Sequence, residues 1–232
     1  ILIFGACAAP TGVIAASPVE TSAEQLLRSR NVEFAREIIN VAPGVYTAVG
    51  YSPANISMIV GQGGVVIVDT GMEVAHALPV AEAFRGISDK PVKAIVYTHG
   101  HGDHTGGAAA FIGAVRPQIW ALENLGSEDR PLAAAGLTIQ QPRGVRQGGF
   151  TLPDSQRINN GIAPAIRPSR ANAFAAGEDS TPNRTFKSGR QIVNVAGVRL
   201  ELVASPGETS DQLYVWLPKQ RVLFAGDAAN GA

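Results

Sequence analysis

The sequence predicts a single α/β domain, on three observations. Short β-branched runs alternate with helix-compatible stretches, which is the pattern of strands laid beside one another with helices between them. Several runs end on a polar residue beside glycine, as in Val65-Val66-Ile67-Val68-Asp69-Thr70-Gly71, and strand ends on one edge of a sheet are where α/β proteins build their sites. The 232 residues are 45% hydrophobic, enough for one large domain with its own core.

The elements follow in order. Residues 1–19 carry no charge and run from apolar (Ile1-Leu2-Ile3-Phe4) to small and loose. They read as the apolar core and small-residue end of an export signal whose basic start is absent, which predicts a periplasmic or secreted protein. Gly5-Ala6-Cys7 fits a lipoprotein attachment site poorly because of Phe4. The stretch is too short and too rich in Gly and Pro for an integral membrane span. Residues 20–40 are expected to be helical: Thr21 and Glu24 form a capping box, and Leu26, Leu27, Phe34, Ile38 and Ile39 form a broken apolar stripe. From residue 41 the main domain begins, with strands at Val45–Val49, Ile56–Val60 and Val65–Val68, the last two joined by a Gly-rich turn. A helix over Val74–Arg85 must accommodate Pro79 and carries the isolated His76, a packing or surface residue. A strand from Val92, a short helix at Gly106–Ile112 and a strand at Gln118–Ala121 follow. Between about 127 and 188 periodicity dissolves into a loop-rich insert holding Arg143, Arg146, Arg157, Arg167, Arg170 and Arg184, cations suited to an anionic group. Strands return at Gln191–Val195, Val198–Val203, Leu213–Leu217 and Val222–Ala225.

Composition narrows the chemistry. Net charge is zero, which argues against a nucleic-acid-binding surface. The single cysteine excludes an internal disulfide and any thiolate-rich metal site. Three of the four histidines fall within His99-Gly100-His101-Gly102-Asp103-His104, directly after the strand. Side chains two apart on extended chain point the same way, so His99 and His101 can grip one ion. The glycines let the chain bend, so Asp103 and His104 can face a second ion. Imidazole with carboxylate is the ligand set of zinc and its borderline neighbours, although iron and manganese also accept it. Asp69 has two readings: a cap on the turn that follows it, or support for the metal site from behind. Glu208, in Ser205-Pro206-Gly207-Glu208-Thr209, and Asp227, after Gly226, each place a carboxylate just past a strand end.

The histidine motif at 99–104, after Asp69-Thr70-Gly71, resembles the metallo-β-lactamase superfamily over roughly residues 41–232. The resemblance implies an αββα sandwich with a metal centre at one edge. Glutamate at 208, where most of the superfamily has histidine, resembles the alkyl sulfatase branch, as does its spacing to the carboxylate at 227. The stretches from Gly50 to Ser57 and from Gln212 to Pro218 are similar to that branch too. Asp227 stands where alkyl sulfatases proper tend to have another glutamate, which places the chain in a side group. Carried over by the resemblance, His99, His101 and Glu208 would hold one zinc, Asp103 and His104 the other, with Asp227 bridging. The family's further downstream histidine, and the C-terminal part of the second αβ half, are absent from this sequence, so the expectation is a fragment with an incomplete fold.

These residues predict a zinc-dependent hydrolase. Three carboxylates against two dications leave a net positive centre suited to a small anionic ester. A water held by zinc ionises near pH ~7. The resemblance implies an alkyl sulfate ester as substrate, cleaved to alcohol and sulfate, with Asp103 the candidate catalytic carboxylate, and it allows a homodimer. Another hydrolase of the superfamily, acting on a lactam, lactone or thioester, is the nearest rival. A non-catalytic exported protein with a structural metal is the rival of another class.

Overall fold

The computed structural model describes residues 22–127, 146, 149, 151–160, 166, 178–205 and 207–229. The export-signal stretch at 1–19, Thr21 of the capping box, and Arg143, Arg167 and Arg170 lie outside the described residues.

The chain opens with α1 (Ser22–Ser29) and a 3-10 segment at Arg30–Phe34. The helix expected to reach residue 40 stops there, and Glu37–Ala42 is instead strand β1, paired antiparallel with β2 (Val45–Val49). The physical reason is local. Ile38 and Ile39 are β-branched, and Pro43-Gly44 closes a hairpin that gives Glu37–Ala42 a strand partner. β3 (Ile56–Val60) and β4 (Val65–Val68) continue the antiparallel meander. The helix α2 (Val74–Ile87) keeps Pro79 in its interior and buries Ala77, Val80, Ala81 and Phe84. It leads to β5 (Val92–Val96), which lies parallel to β4.

After β5 comes a four-residue helix, α3 (Gly102–Thr105), and a 3-10 turn at Ala108–Ala110. The short helix expected at Gly106–Ile112 is therefore displaced toward the histidines. β6 (Gln118–Leu122) extends the sheet in parallel, and β7 (Arg184–Phe186) closes it. The insert is thus ordered at its end: Asn183 accepts the Ile119 N–H at 2.9 Å and donates to Pro117 O, steering the chain onto the open edge of β6.

The first sheet has the order β1-β2-β3-β4-β5-β6-β7. The second is antiparallel: β8 (Arg190–Val195), β9 (Val198–Ala204), β10 (Leu213–Leu217) and β11 (Val222–Phe224), in the order β11-β10-β9-β8. Apolar side chains from both sheets, among them Val66, Val96, Leu200, Leu202 and Val215, form the core between them. A second core, with Ile67, Ile95, Val80 and Phe84, joins the outer face of the first sheet to α2. The layers run helix, sheet, sheet, the αββ part of the predicted sandwich. No helix among the described residues is long and apolar enough to cross a membrane.

Candidate metal centre

Two adjacent parallel strands deliver the centre. β4 and β5 are buried β-branched runs, and they end side by side with Asp69 N donating to Val96 O at 2.9 Å. Asp69 itself sits in the left-handed region, at φ 55°. That backbone turns its carboxylate onto the end of β5: Oδ1 accepts Thr98 N–H at 2.8 Å, and Oδ2 accepts Thr98 Oγ1–H at 2.8 Å. Oδ2 also lies 2.8 Å from His104 Nδ1. Asp69 therefore supports the histidine cluster rather than capping the turn that follows it. Thr70 ties the same loop to α3, giving both its N–H and its hydroxyl to His104 O.

The three imidazoles pack edge to edge, with the ring of His99 4.6 Å from that of His101 and 4.1 Å from that of His104. His99 and His104 are buried, while His101 reaches the surface. Thr98 Oγ1 lies 3.1 Å from His99 Nδ1. When that nitrogen carries the proton and donates to Thr98, Nε2 is left with its lone pair outward.

The second sheet brings the carboxylates. The loop before β10 is held by Gln212, fully buried, whose Oε1 accepts the Glu208 N–H at 2.9 Å and whose Nε2 donates to Ala225 O at 3.2 Å. One side chain thus links the Glu208 loop to the chain just before Asp227. Leu213 N donates to Thr98 O at 2.8 Å and joins this loop to the end of β5. Glu208 Oε2 comes to 3.6 Å from His101 Nδ1 and 3.9 Å from His99 Nε2. Asp227 Oδ1 is 3.3 Å from His104 Nε2, and Asp103 Oδ2 is 3.9 Å from the same nitrogen. Donor atoms of His99, His101, Glu208 and Asp227 all lie within 4.8 Å of one another. All six sequence-predicted residues therefore meet in two overlapping groups, joined at Asp227.

The donor set fits a metal. Nε2 of His99 is buried and makes no hydrogen bond, a costly state for a polar atom unless a cation takes the lone pair. Electrostatics point the same way. Burial pushes His99 down, helped by the His104 charge. Burial also opposes the His104 imidazolium, but the Asp69 and Asp227 carboxylates outweigh it and hold His104 well above the ordinary histidine value. Burial and a hydrogen bond with Asp227 raise Glu208. Asp227, despite burial, is held below the usual carboxylate range by His104. Carboxylates pressed together around imidazoles are what a dication would neutralise.

Sequence reasoning did not single out Thr98 or Gln212. Neither is an unusual residue for its place, and their roles come from pairings 29 and 13 residues away. His76 stays apart from the cluster, part-buried on α2 with Nε2 3.1 Å from Glu73.

The model of the metallo-beta-lactamase superfamily matches residues 49–231. A linear primary-alkylsulfatase from Pseudomonas sp. is 34% identical over 75% of this chain and 33% of its own length. An (R)-specific secondary-alkylsulfatase, also from Pseudomonas sp., is 29% identical over 83% of this chain and 30% of its own. Among solved structures, the stereoselective inverting sec-alkylsulfatase Pisa1 from Pseudomonas sp. superposes with a TM-score of 0.68 at 25% identity, covering 81% of this chain and 30% of that one. The chain spans about a third of the length of these relatives. With the donor cluster at the paired strand ends and the matched model, the chain belongs to the metallo-beta-lactamase superfamily, and it is similar to the alkylsulfatases within it.

Proposed function

We propose that this chain carries the metal centre of a hydrolase that cleaves alkyl sulfate esters to alcohol and sulfate, using two zinc ions. The observation that supports this most is the place of Glu208: it completes a donor group with His99, His101 and Asp227, where most of the superfamily has histidine. The alkylsulfatase names of the relatives agree with it.

In this reading His99, His101 and Glu208 would hold one ion and Asp103 and His104 the other, with Asp227 shared. Bound zinc would supply Lewis acidity and a lowered pKa for water. The chain's own residues do the rest. Asp69 and Thr98 fix the ring orientation of His104 and His99, so each presents Nε2 to the centre. Asp103, about a third exposed, borders the cavity beside the cluster, where its carboxylate orients the attacking water. Glu208, Asp103 and Asp227 are three carboxylates, so a centre holding two dications would keep a net positive charge suited to an anionic ester. Export to the periplasm or beyond, supported by the uncharged stretch Ile1–Val19, and a homodimer, supported by the resemblance, belong to the same proposal.

The test is release of inorganic sulfate from dodecyl sulfate by the full-length, zinc-loaded protein and its Glu208→Ala variant, with zinc content measured on both. Glu208→Ala is expected to lose bound zinc and to slow sulfate release by at least about 100-fold. Sulfate release unchanged in the variant removes Glu208 from the centre. Turnover of a lactam, lactone or thioester, with none of any alkyl sulfate, replaces the substrate class and keeps the metal site.

A further inference from the structure

We infer that the N-terminal segment Arg30–Phe34 is the wall that sets the size of the organic group admitted to the metal centre, with Phe34 as its stop. This rests on the reading above, that the inner end of the cavity is a hydrolytic site.

A cavity of about 660 Å³ is lined both by Asp103, His104 and Asp227 of the centre and by Arg30, Glu33 and Phe34 of the N-terminal segment. Its size is that of a small-molecule site. Its lining is mixed, and the apolar part comes from Val41 and Val49 of the first sheet, Val222 and Phe224 of the second, and Pro53 from a loop. The hydroxyls in this wall are already engaged. Thr47 Oγ1 and Ser57 Oγ pair at 2.9 Å, and Ser52 Oγ accepts the Met72 N–H at 2.9 Å. An alkyl chain lying along the apolar part of this wall would leave those engaged hydroxyls undisturbed. The anionic head of such a molecule would sit at the metal end and its tail would run toward Phe34.

The far wall is held in place. Gly50, at φ +77°, lies so close to the 3-10 segment that a Cβ there would be 2.3 Å from Phe34 O and 2.7 Å from Ala35 O. Arg30 stacks over the Phe34 ring at 5.9 Å and pairs with Glu33 at 3.1 Å, and Arg36 stacks over Tyr51 at 5.4 Å. Asn159 donates to Leu27 O at 2.7 Å and to Asn31 Oδ1 at 2.8 Å, bracing the segment from behind. Arg30–Phe34 also precedes the residues that the superfamily model matches, 49–231.

The experiment uses the full-length, zinc-loaded protein and two variants, Phe34→Ala and Phe34→Trp. Hexyl, octyl, decyl and dodecyl sulfonates, which keep the anionic head but have no ester to cleave, are titrated by calorimetry, and the matching sulfates are assayed for sulfate release. Phe34→Ala is expected to raise the dodecyl-to-hexyl affinity ratio by at least about tenfold, and Phe34→Trp to lower it by a similar factor. Ratios that stay within about twofold of the parent in both variants, with melting temperatures preserved, overturn the wall. If Phe34→Ala does not fold, Phe34→Trp and Phe34→Leu decide it by the same ratio. Sulfonate binding without sulfate release overturns the proposed chemistry while the ratios still judge the wall. A parent protein that binds none of the sulfonates overturns the wall.

Discussion

At the scale of single residues, the centre depends on Asp69 as much as on its donors. Its carboxylate is shared among Thr98 N, Thr98 Oγ1 and His104 Nδ1, all at 2.8 Å, so it sets the tautomer and orientation of a donor without facing the centre itself. The consequence can be read as protons. In the metal-free protein His104 is held well above the ordinary histidine value, because Asp69 and Asp227 outweigh burial. Its proton is thus held more tightly than an ordinary histidine's, and a metal that takes Nε2 competes with that proton. A folded-state value raised in this way favours the metal-free fold below the ordinary histidine value, an advantage lost as pH rises through the raised one. Zinc uptake at pH 7, followed by calorimetry in buffers of differing ionisation enthalpy, is expected to release on the order of one proton, falling toward none as pH climbs past the raised value. Asp69→Asn keeps a residue that tolerates φ 55° but removes the carboxylate. It is expected to release fewer protons and to bind zinc about 10–100-fold more weakly. Equal release from both proteins would show that His104 is not the group displaced.

At the scale of elements, the strands are legible because their signal is local. A β-branched run such as Val65–Val68 or Val92–Val96 needs only to be buried on both faces to be a strand, and both are central in the sheet. The helix expected through residue 40 fails for the converse reason: Ile38 and Ile39 fit an apolar stripe and a strand equally, and only pairing with β2 decides. The expectation sets α3 too late because the feature that places it is a close approach, invisible in one dimension. A Cβ on Gly106 would lie 2.0 Å from Met72 O, so the chain leaving α3 passes against the loop after β4 with no room for a side chain. Gly106→Ala is therefore expected to cost about 1–3 kcal/mol in denaturant unfolding and to disturb His104 with it. Gly86 lies on the exposed side of α2 near its end, where an added Cβ would meet nothing within 4 Å. Gly86→Ala is expected to stabilise by about 0.4–1 kcal/mol. The same substitution with opposite signs tests the close approach itself, and a loss at neither site would refute it.

At the scale of the whole molecule, six donors from three separate stretches of the chain meet because two sheets end at one edge. The four from residues 99–104 are readable as a group from spacing alone. Glu208 and Asp227 are readable as strand-end carboxylates and become donors only through resemblance, since the pairing of β10 with β9 and β11 that brings them round is long-range. Gln212 and Thr98, which lock the two sheets' loops together, carry no sequence signal of that role. Two apolar cores, one between the sheets and one under α2, hold the frame. With that much apolar burial in the sheets, the proposed metal would bind a frame that is already folded. Chelation of the full-length protein is accordingly expected to leave the far-UV circular dichroism of the sheets unchanged. It is expected to lower the melting temperature by the linkage of a ligand that binds only the folded form, about 3–4 kcal/mol at metal concentrations 100 to 1,000 times the dissociation constant. Activity and the lost stability should return together on adding zinc back. Loss of the β-sheet signal on chelation would instead make the metal a folding element, and would favour the non-catalytic protein with a structural site over the hydrolase.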